Sequence, residues 1–357
     1  MTLIIAEAGV NHNGSLKTAL EMVMRAADTG VDCVKFQSFK AENLVTSLAR
    51  MADYQKKTMK SDISQLELLK SLEITEADHF ALKEACIASG VEFMSTAFDS
   101  ESLDFLVNGV GIERLKVSSG DLTNGPFLLE HAMTGKNIII STGMANLDEI
   151  ETALGVLAYG FCEGSKSAPS DRKFRECYRS QSGLEALQNK VTILHCSTDY
   201  PALPESLNLN AIELLSETFS LPVGYSDHSD SCLVPSLAIA KGASVIEKHF
   251  TLDRTSAGPD HAASLEIGDL KKMVAAIRYT EIALGQKVKI PSLSEEQNIP
   301  AARKYLVAVE PIKTGEVFSE KNVGAMRSGG GVSPMEYWSL LGQKAHRDYD
   351  LGDRLVI

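Results

Sequence analysis

Residues 191–228 read VTILHCSTDYPALPESLNLNAIELLSETFSLPVGYSDH. An aliphatic, β-branched run (Val191–Leu194) ends in His195, a polar loop follows, Leu207–Glu217 has helical character, and PVGYSD forms a second extended run that ends at His228. A strand, a helix and a second strand in under forty residues is the unit of a parallel α/β fold.

The unit recurs on both sides. LIIAEAGVNHNG is an apolar run broken by Gly9 and Gly14. Leu16, Ala19, Leu20, Val23, Met24 and Ala27 then recur at helical spacing, and VDCVKFQ follows Gly30. A polar loop over 44–62 leads into a helical stretch from Gln65 to Ala88. VEFMST, RLKVSSGD and NIIISTG are strands three to five, with helices expected at Ser100–Val107, Pro126–Met133 and Leu147–Leu157. Cys162–Ser182 is polar and reads as a surface insertion. Helix Cys232–Ala240, strand SVIEKHF and helix Asp269–Leu284 close the series. Eight strands, each followed by a helix, predict a (β/α)8 TIM barrel, with its chemistry at the C-terminal strand ends.

Beyond Leu284 the rhythm stops. The expected organisation is a barrel over 1–285, a connector over 286–304 that carries Pro and charge, and a small turn-rich module over 305–357. Thirty-five basic against forty-seven acidic residues give a net charge of −12, which argues against nucleic-acid binding. The six cysteines form no CxxC pair, and no apolar run approaches a membrane span. The N-terminus lacks the basic region of a signal peptide, so the expectation is a reduced, cytoplasmic protein.

Nearly every proposed strand ends in a chemically useful residue: Glu7, Lys35 with Gln37, Thr96, Lys116, Ser141, His195, Asp227 with His228, and Glu247 with Lys248 and His249. His195 and His228, on adjacent strands, are the expected metal pair, with Asp227 and Asp199 to orient them. Taken singly, each reads first as a core or loop histidine; their shared place at adjacent strand ends favours the metal. A lysine inside an apolar strand needs an anion. For Lys35 and Lys116 the partner is either Glu7, Asp121 or Glu247, or a phosphate or carboxylate of a substrate, with Thr96, Ser119 and Ser141 as hydroxyl donors. SSGD (118–121) and STGM (141–144) are short loops before helices that can cradle an oxyanion. Glu7 and Asp121 are candidate acid/base carboxylates or partners of a nearby lysine. His249 and His261 are either site residues or polar packing, and Arg327 in MRSGGG is a solvated charge or the tip of a lid.

The stretches IAEAGVNHNGS, VKFQSFKAENL, FMSTAFD, LKVSSGD, IIISTGM, ILHCSTDYP, VGYSDHS, VIEKHFTLD and GPDHAASL together resemble the sialic acid synthase family, the phosphoenolpyruvate-dependent nonulosonate synthases. The tail VAVEPIKTGEVFSEKNV…LLGQKA looks like that family's antifreeze-like (SAF) module. The resemblance implies a TIM barrel with a C-terminal antifreeze-like domain, usually in a domain-swapped homodimer. It implies condensation of phosphoenolpyruvate with an N-acyl hexose such as N-acetylmannosamine, giving a nine-carbon 2-keto acid and phosphate. It implies Mn²⁺ or Mg²⁺ on His195 and His228, with His228 thereby taking part in catalysis. Lys35, Gln37, Thr96, Lys116, Ser119, Ser141 and Lys248 would bind substrate, Glu7 and Asp121 would handle protons, and Arg327 would reach the acyl group from the partner subunit. Two departures stand out. MRSGGG replaces the family's common KRPGNG, and Asp121 stands where a glutamate is common. Legionaminic and pseudaminic acid synthases, acting on diacetamido-trideoxy hexoses, are also similar to this chain. A metal-dependent pyruvate aldolase on the same barrel is the competing enzyme class.

Overall fold

The structure, a computed structural model, describes residues 1–46, 64–164 and 167–356. The polar loop expected over 44–62 therefore lies mostly outside the described residues. The chain divides into two units, Met1–Gly285 and Gln286–Ile357.

In the first unit eight parallel strands follow in sequence order: β1 (Leu3–Gly9), β2 (Cys33–Ser38), β3 (Glu92–Ala97), β4 (Arg114–Val117), β5 (Asn137–Ser141), β6 (Val191–Cys196), β7 (Val223–Asp227) and β8 (Val245–Thr251). β1 pairs with both β2 and β8, which closes the sheet. This is a TIM barrel of α/β class. A two-residue strand, β9 (Leu265–Glu266), extends β8 outside the ring.

The helices form where local chemistry starts and stops them. Helix Leu16–Ala27 begins at Ser15, whose side chain accepts the Thr18 N–H. It buries Ala19, Met22, Val23 and Ala26, so its packed stripe lies slightly around the helix from the one expected, and Met24 is exposed. Each large side chain buried in this way contributes about 1.5–3 kcal/mol. The stretch expected as one helix over 65–88 is two, Gln65–Leu72 and Glu76–Ala88. Thr75 and Asp78 form a reciprocal capping box that starts the second. Helix Leu147–Cys162 runs a turn beyond the expected end, because its last turns are buried rather than amphipathic. Within the insertion, Asp171–Arg179 is helical, and Phe174 packs edge-on against Tyr159 at 5.2 Å.

Inside the ring, Ile5, Cys33, Met94, Ile139, Leu194 and Val245 form one apolar layer. Gly224 completes it by absence: a Cβ there would come within 2.6 Å of Leu194 Cδ2 and of the Val245 carbonyl oxygen. The larger core lies between the ring and its helices.

The second unit has a helix (Leu293–Ala302) with no buried residue, started by a Ser292–Glu295 capping box inside the expected connector. Its small core gathers Leu306, Ala308, Ile312, Phe318, Val323, Leu340, Ala345, Tyr349 and Leu355 around an antiparallel pair, β10 (Tyr305–Ala308) and β11 (Val323–Met326). Among the described residues no helix is long and apolar enough to cross a membrane. All six cysteines are free thiols.

His12 is 1% exposed, and burial lowers its pKa from 6.5 to about 4. Burial lowers His79 and His131 too. Below pH 6.5 the unfolded chain takes up protons that the folded chain does not, so stability falls as pH drops towards 4. For His12 alone the full effect is about 3 kcal/mol. Urea unfolding at pH 7.5 and 5.0 should show this loss. His12→Asn, which keeps an acceptor for the Gly14 N–H, should shrink it.

Candidate active site

Strand periodicity places the site. Two residues beyond the apolar layer, on the same inward face, come Glu7, Lys35, Thr96, Ser141, Cys196 and Glu247. All of them line one cavity of about 290 Å³ at the C-terminal end of the ring. Lys116, Gln37, Ser226, His228 and His249 line it as well. Gly9 ends β1 at a left-handed φ of +53°, and a Cβ there would meet Gln37, Glu7 and His249 at 3.4 Å.

Two lysines and two glutamates sit together at the cavity base, each at most 5% exposed. Lys35 Nζ is 2.7 Å from Glu7 Oε2 and 3.5 Å from Glu247 Oε2. Lys116 Nζ is 3.8 Å from Glu247 Oε1. The charges sum to zero, which is how four ions tolerate burial. They are not equivalent. Burial alone would raise Glu247, but Lys116 and Lys35 together hold it near 2. Burial raises Glu7 to about 7, against the pull of Lys35 and with the push of Glu247. Glu7 Oε2 is ion-paired with Lys35, and Gln37 reaches only the other oxygen. Burial lowers Lys116, while its carboxylate neighbours raise Lys35 in spite of burial.

Hydroxyls cap the ammonium groups. Lys35 donates to Thr96 Oγ1 at 2.9 Å and Lys116 to Ser141 Oγ at 2.7 Å. Gly143 N–H donates to Ser119 Oγ at 3.0 Å, and Cys196 Sγ lies 3.2 Å from the same oxygen. Gln37 donates to Glu7 Oε1 at 3.3 Å.

Across the cavity His228 and His249 face each other, ring centroids 5.5 Å apart and planes at 52°. His228 Nδ1 bonds the Ser197 carbonyl, so it carries the proton and Nε2 is left as an acceptor. Tyr200 stacks on that ring at 4.2 Å, its hydroxyl 3.2 Å from Nε2. His249 Nδ1 is buried and has no hydrogen-bond partner. Burial lowers both pKa values, so both rings are neutral at pH 7. Asp260, also in the lining, is raised by burial to about 6. Val10, Leu68, Leu69, Leu72 and Phe98 form an apolar wall on another side.

Three expectations need correction. His195 does not meet His228. It lies out of phase with Leu194 and Cys196, so it points away from the cavity, bonds the Leu207 carbonyl at 2.8 Å and stacks on Tyr225. Lys248 likewise faces outward between Glu247 and His249 and is fully buried against Asp227, not in the cavity. Asp121 ends a single 3₁₀ turn (Ser119–Asp121), where Ser118 Oγ donates to it at 2.7 Å, and it does not line the cavity. Arg327 is exposed in the second unit, just past β11. The sequence offers Glu247 as a partner for the lysines and His249 as either a site residue or packing, but it does not single out Tyr200 or Ser226. Glu247 and His249 alternate around Lys248, a two-residue spacing that marks one strand face.

Residues 22–289 match the NeuB family. The chain belongs to that family. N,N'-diacetyllegionaminic acid synthase of Campylobacter jejuni is 45% identical over 98% of this chain and 97% of its own length. The enzyme of the same name from Legionella pneumophila is 39% identical over 99% and 93%. Among solved structures, the N-acetylneuraminic acid synthetase of Leptospira borgpetersenii, in complex with citrate, aligns with a TM-score of 0.67 at 32% identity, covering 84% of this chain and 90% of that one. The NeuB match covers the strands that carry the lysines, Glu247 and both cavity histidines, from β2 to β8.

Lys35→Met strands Glu7 and half-strands Glu247. Urea unfolding should show a loss of about 3–5 kcal/mol. Adding Glu7→Gln to the same chain should restore more than half of it.

Proposed function

We infer that this NeuB-family chain condenses phosphoenolpyruvate with an N-acylated hexose and water, giving a nonulosonic acid and phosphate. One observation carries the reading: two buried lysines with paired hydroxyls share a cavity with two facing neutral imidazoles. The first set suits a small molecule bearing phosphate and carboxylate. The second suits a divalent cation, Mn²⁺ or Mg²⁺. His228 offers an unprotonated Nε2, met only by hydroxyls of Tyr200 and Ser226, and His249 an orphaned Nδ1, and Asp260 is a buried carboxyl that a nearby cation would relieve. Among the described residues no cluster of three or more His, Cys, Asp or Glu completes a cage, so substrate and water would fill the remaining positions. When bound, such an ion supplies Lewis-acid polarisation of the sugar aldehyde.

The residues divide the remaining work. Lys116 with Ser141, Lys35 with Thr96, and Ser119 hold the anionic groups of phosphoenolpyruvate. Its C3 then faces the aldehyde carbon and forms the new C–C bond. Water adds at C2, and phosphate leaves that carbon by C–O cleavage. Glu7, with a pKa near 7, takes or gives a proton at its carboxyl. Glu247 keeps both ammonium groups charged, the part that Asp121 does not take.

The product assigned is of the N,N'-diacetyllegionaminic type. Two relatives of that name align over nearly the whole chain. The wall of Val10, Leu68, Leu69, Leu72 and Phe98 suits the methyl end of a trideoxy hexose better than a hydroxymethyl group. The second unit acts as an antifreeze-like cap from a second copy of the chain, and its Arg327 meets the acyl group. In support, that unit exposes Trp338 and Met335, and the barrel helix before it exposes Tyr279 and Ile282.

The test is phosphate release from phosphoenolpyruvate by metal-stripped protein. Mn²⁺ is added back with N-acetylmannosamine or 2,4-diacetamido-2,4,6-trideoxymannose, and the product is weighed by mass spectrometry. Release that needs Mn²⁺ and prefers the trideoxy sugar is expected. Turnover of pyruvate in place of phosphoenolpyruvate would replace the synthase with an aldolase. Leu69→Asn should lower the preference for the trideoxy sugar over N-acetylmannosamine about tenfold.

A further inference from the structure

We propose that Asp227 and Lys248 are positioning residues: a buried ion pair on the outer face of the barrel wall that sets how His228 and His249 face one another. The proposal rests on the reading of those two imidazoles as a cation site.

The two residues are register partners on β7 and β8, and each precedes one of the cavity histidines in the chain. Both side chains are 0% exposed, and Lys248 Nζ lies 2.7 Å from Asp227 Oδ2. Neither lines the cavity. The Asp227 carboxylate also accepts the Ser229 N–H at 3.0 Å, Ser229 Oγ at 3.1 Å and the Tyr225 hydroxyl at 3.3 Å. Lys248 donates to the Ser229 carbonyl. The backbone is therefore clamped on both sides of His228, at Asp227 and at Ser229, and the clamp is anchored on β8 immediately before His249.

Alternation along the strands turns the clamp into a control on the site. His228 has its own tether, from Nδ1 to the Ser197 carbonyl. His249 Nδ1 has none, so that ring follows the position of its strand. The Asp227–Lys248 bridge ties the two strands together where their side chains turn inward as imidazoles. A buried ion pair is a poor source of stability compared with apolar side chains of the same volume. Five directional contacts on one carboxylate–ammonium pair instead define a geometry.

The test compares Asp227→Asn/Lys248→Met, which removes both charges at similar volume, with the wild type. Asp32→Asn/Arg278→Met serves as a control, removing an ion pair that joins the residue before β2 to helix Ile267–Leu284. Mn²⁺ affinity is measured by calorimetry on stripped protein, alongside thermal midpoints and the KM for phosphoenolpyruvate. The expected result is Mn²⁺ binding weakened ten- to hundredfold, KM for phosphoenolpyruvate within about twofold, and lower kcat. The control should keep its Mn²⁺ affinity. Ser229→Ala removes one contact without stranding a charge and should give the same pattern at three- to tenfold, which covers the case of a double variant that does not fold. Unchanged Mn²⁺ affinity in folded Asp227→Asn/Lys248→Met protein, with affinity lost in His228→Ala and His249→Ala, would overturn the positioning role alone. Wild-type affinity in both histidine variants would overturn the cation site, and this proposal with it.

Discussion

Lys35 and Lys116 cannot be buried inside a barrel without partners, and the site is built around that constraint. An isolated ammonium in such a place would lose its proton or unfold the chain. Glu7 and Glu247 answer it from two neighbouring strands, β1 and β8, with the lysines on β2 and β4. β1 and β8 are also the two strands whose pairing closes the ring. Closure of the fold and neutralisation of the site are therefore linked: without the β1–β8 seam, Lys35 keeps Glu7 on the neighbouring β1, but both lysines lose Glu247.

That dependence shapes the rest of the interior. Below the charges lies an apolar layer contributed by six of the strands, with Gly224 leaving room for Leu194. Above them the same strand faces turn to hydroxyls and imidazoles. The change takes two residues per strand. Apolar side chains exclude water from beneath the ions, which strengthens every interaction among them and raises the cost of leaving any one unpaired.

The eight-fold repeat is legible in the sequence because each strand is an aliphatic run and each helix has a stripe of period 3.6. The charged interior is legible too, since an ammonium within the apolar runs of β2 and β4 requires an anion beside it. Side-chain phase is not. In VTILHC every residue but the threonine and histidine is apolar, so nothing in the sequence says which face Leu194 takes, and His195, expected inside, lies outside. In VIEKHF the alternation is visible, yet three consecutive polar residues conceal which are inward. Only the register against β7 and β1 separates Glu247 and His249 from Lys248. Asp121 departs for a different reason: a 3₁₀ turn directs it back to Ser118, and turn geometry is not encoded in strand spacing. The helix at Leu293–Ala302 is announced by Ser292 and Glu295, but its apolar residues have no helical stripe, because none of them is buried.

A chain of net charge −12 that takes an anion must do so by local means. The surface field repels such a ligand at long range, but screening limits that effect to about 10 Å in ordinary salt. Inside the cavity the four formal charges cancel, so attraction cannot come from an excess of lysine. It comes from the unequal standing of the two carboxylates. Glu247, held between both ammonium groups, stays ionised; Glu7, with one partner and a pKa near 7, is the group that can give up its charge. A proton taken up by Glu7 leaves the cavity one positive charge in surplus. An arriving phosphate or carboxylate favours that uptake, and the uptake favours the anion. The four groups are thus electrically neutral among themselves, which lets the barrel fold around them, and the cavity turns cationic as an anion enters.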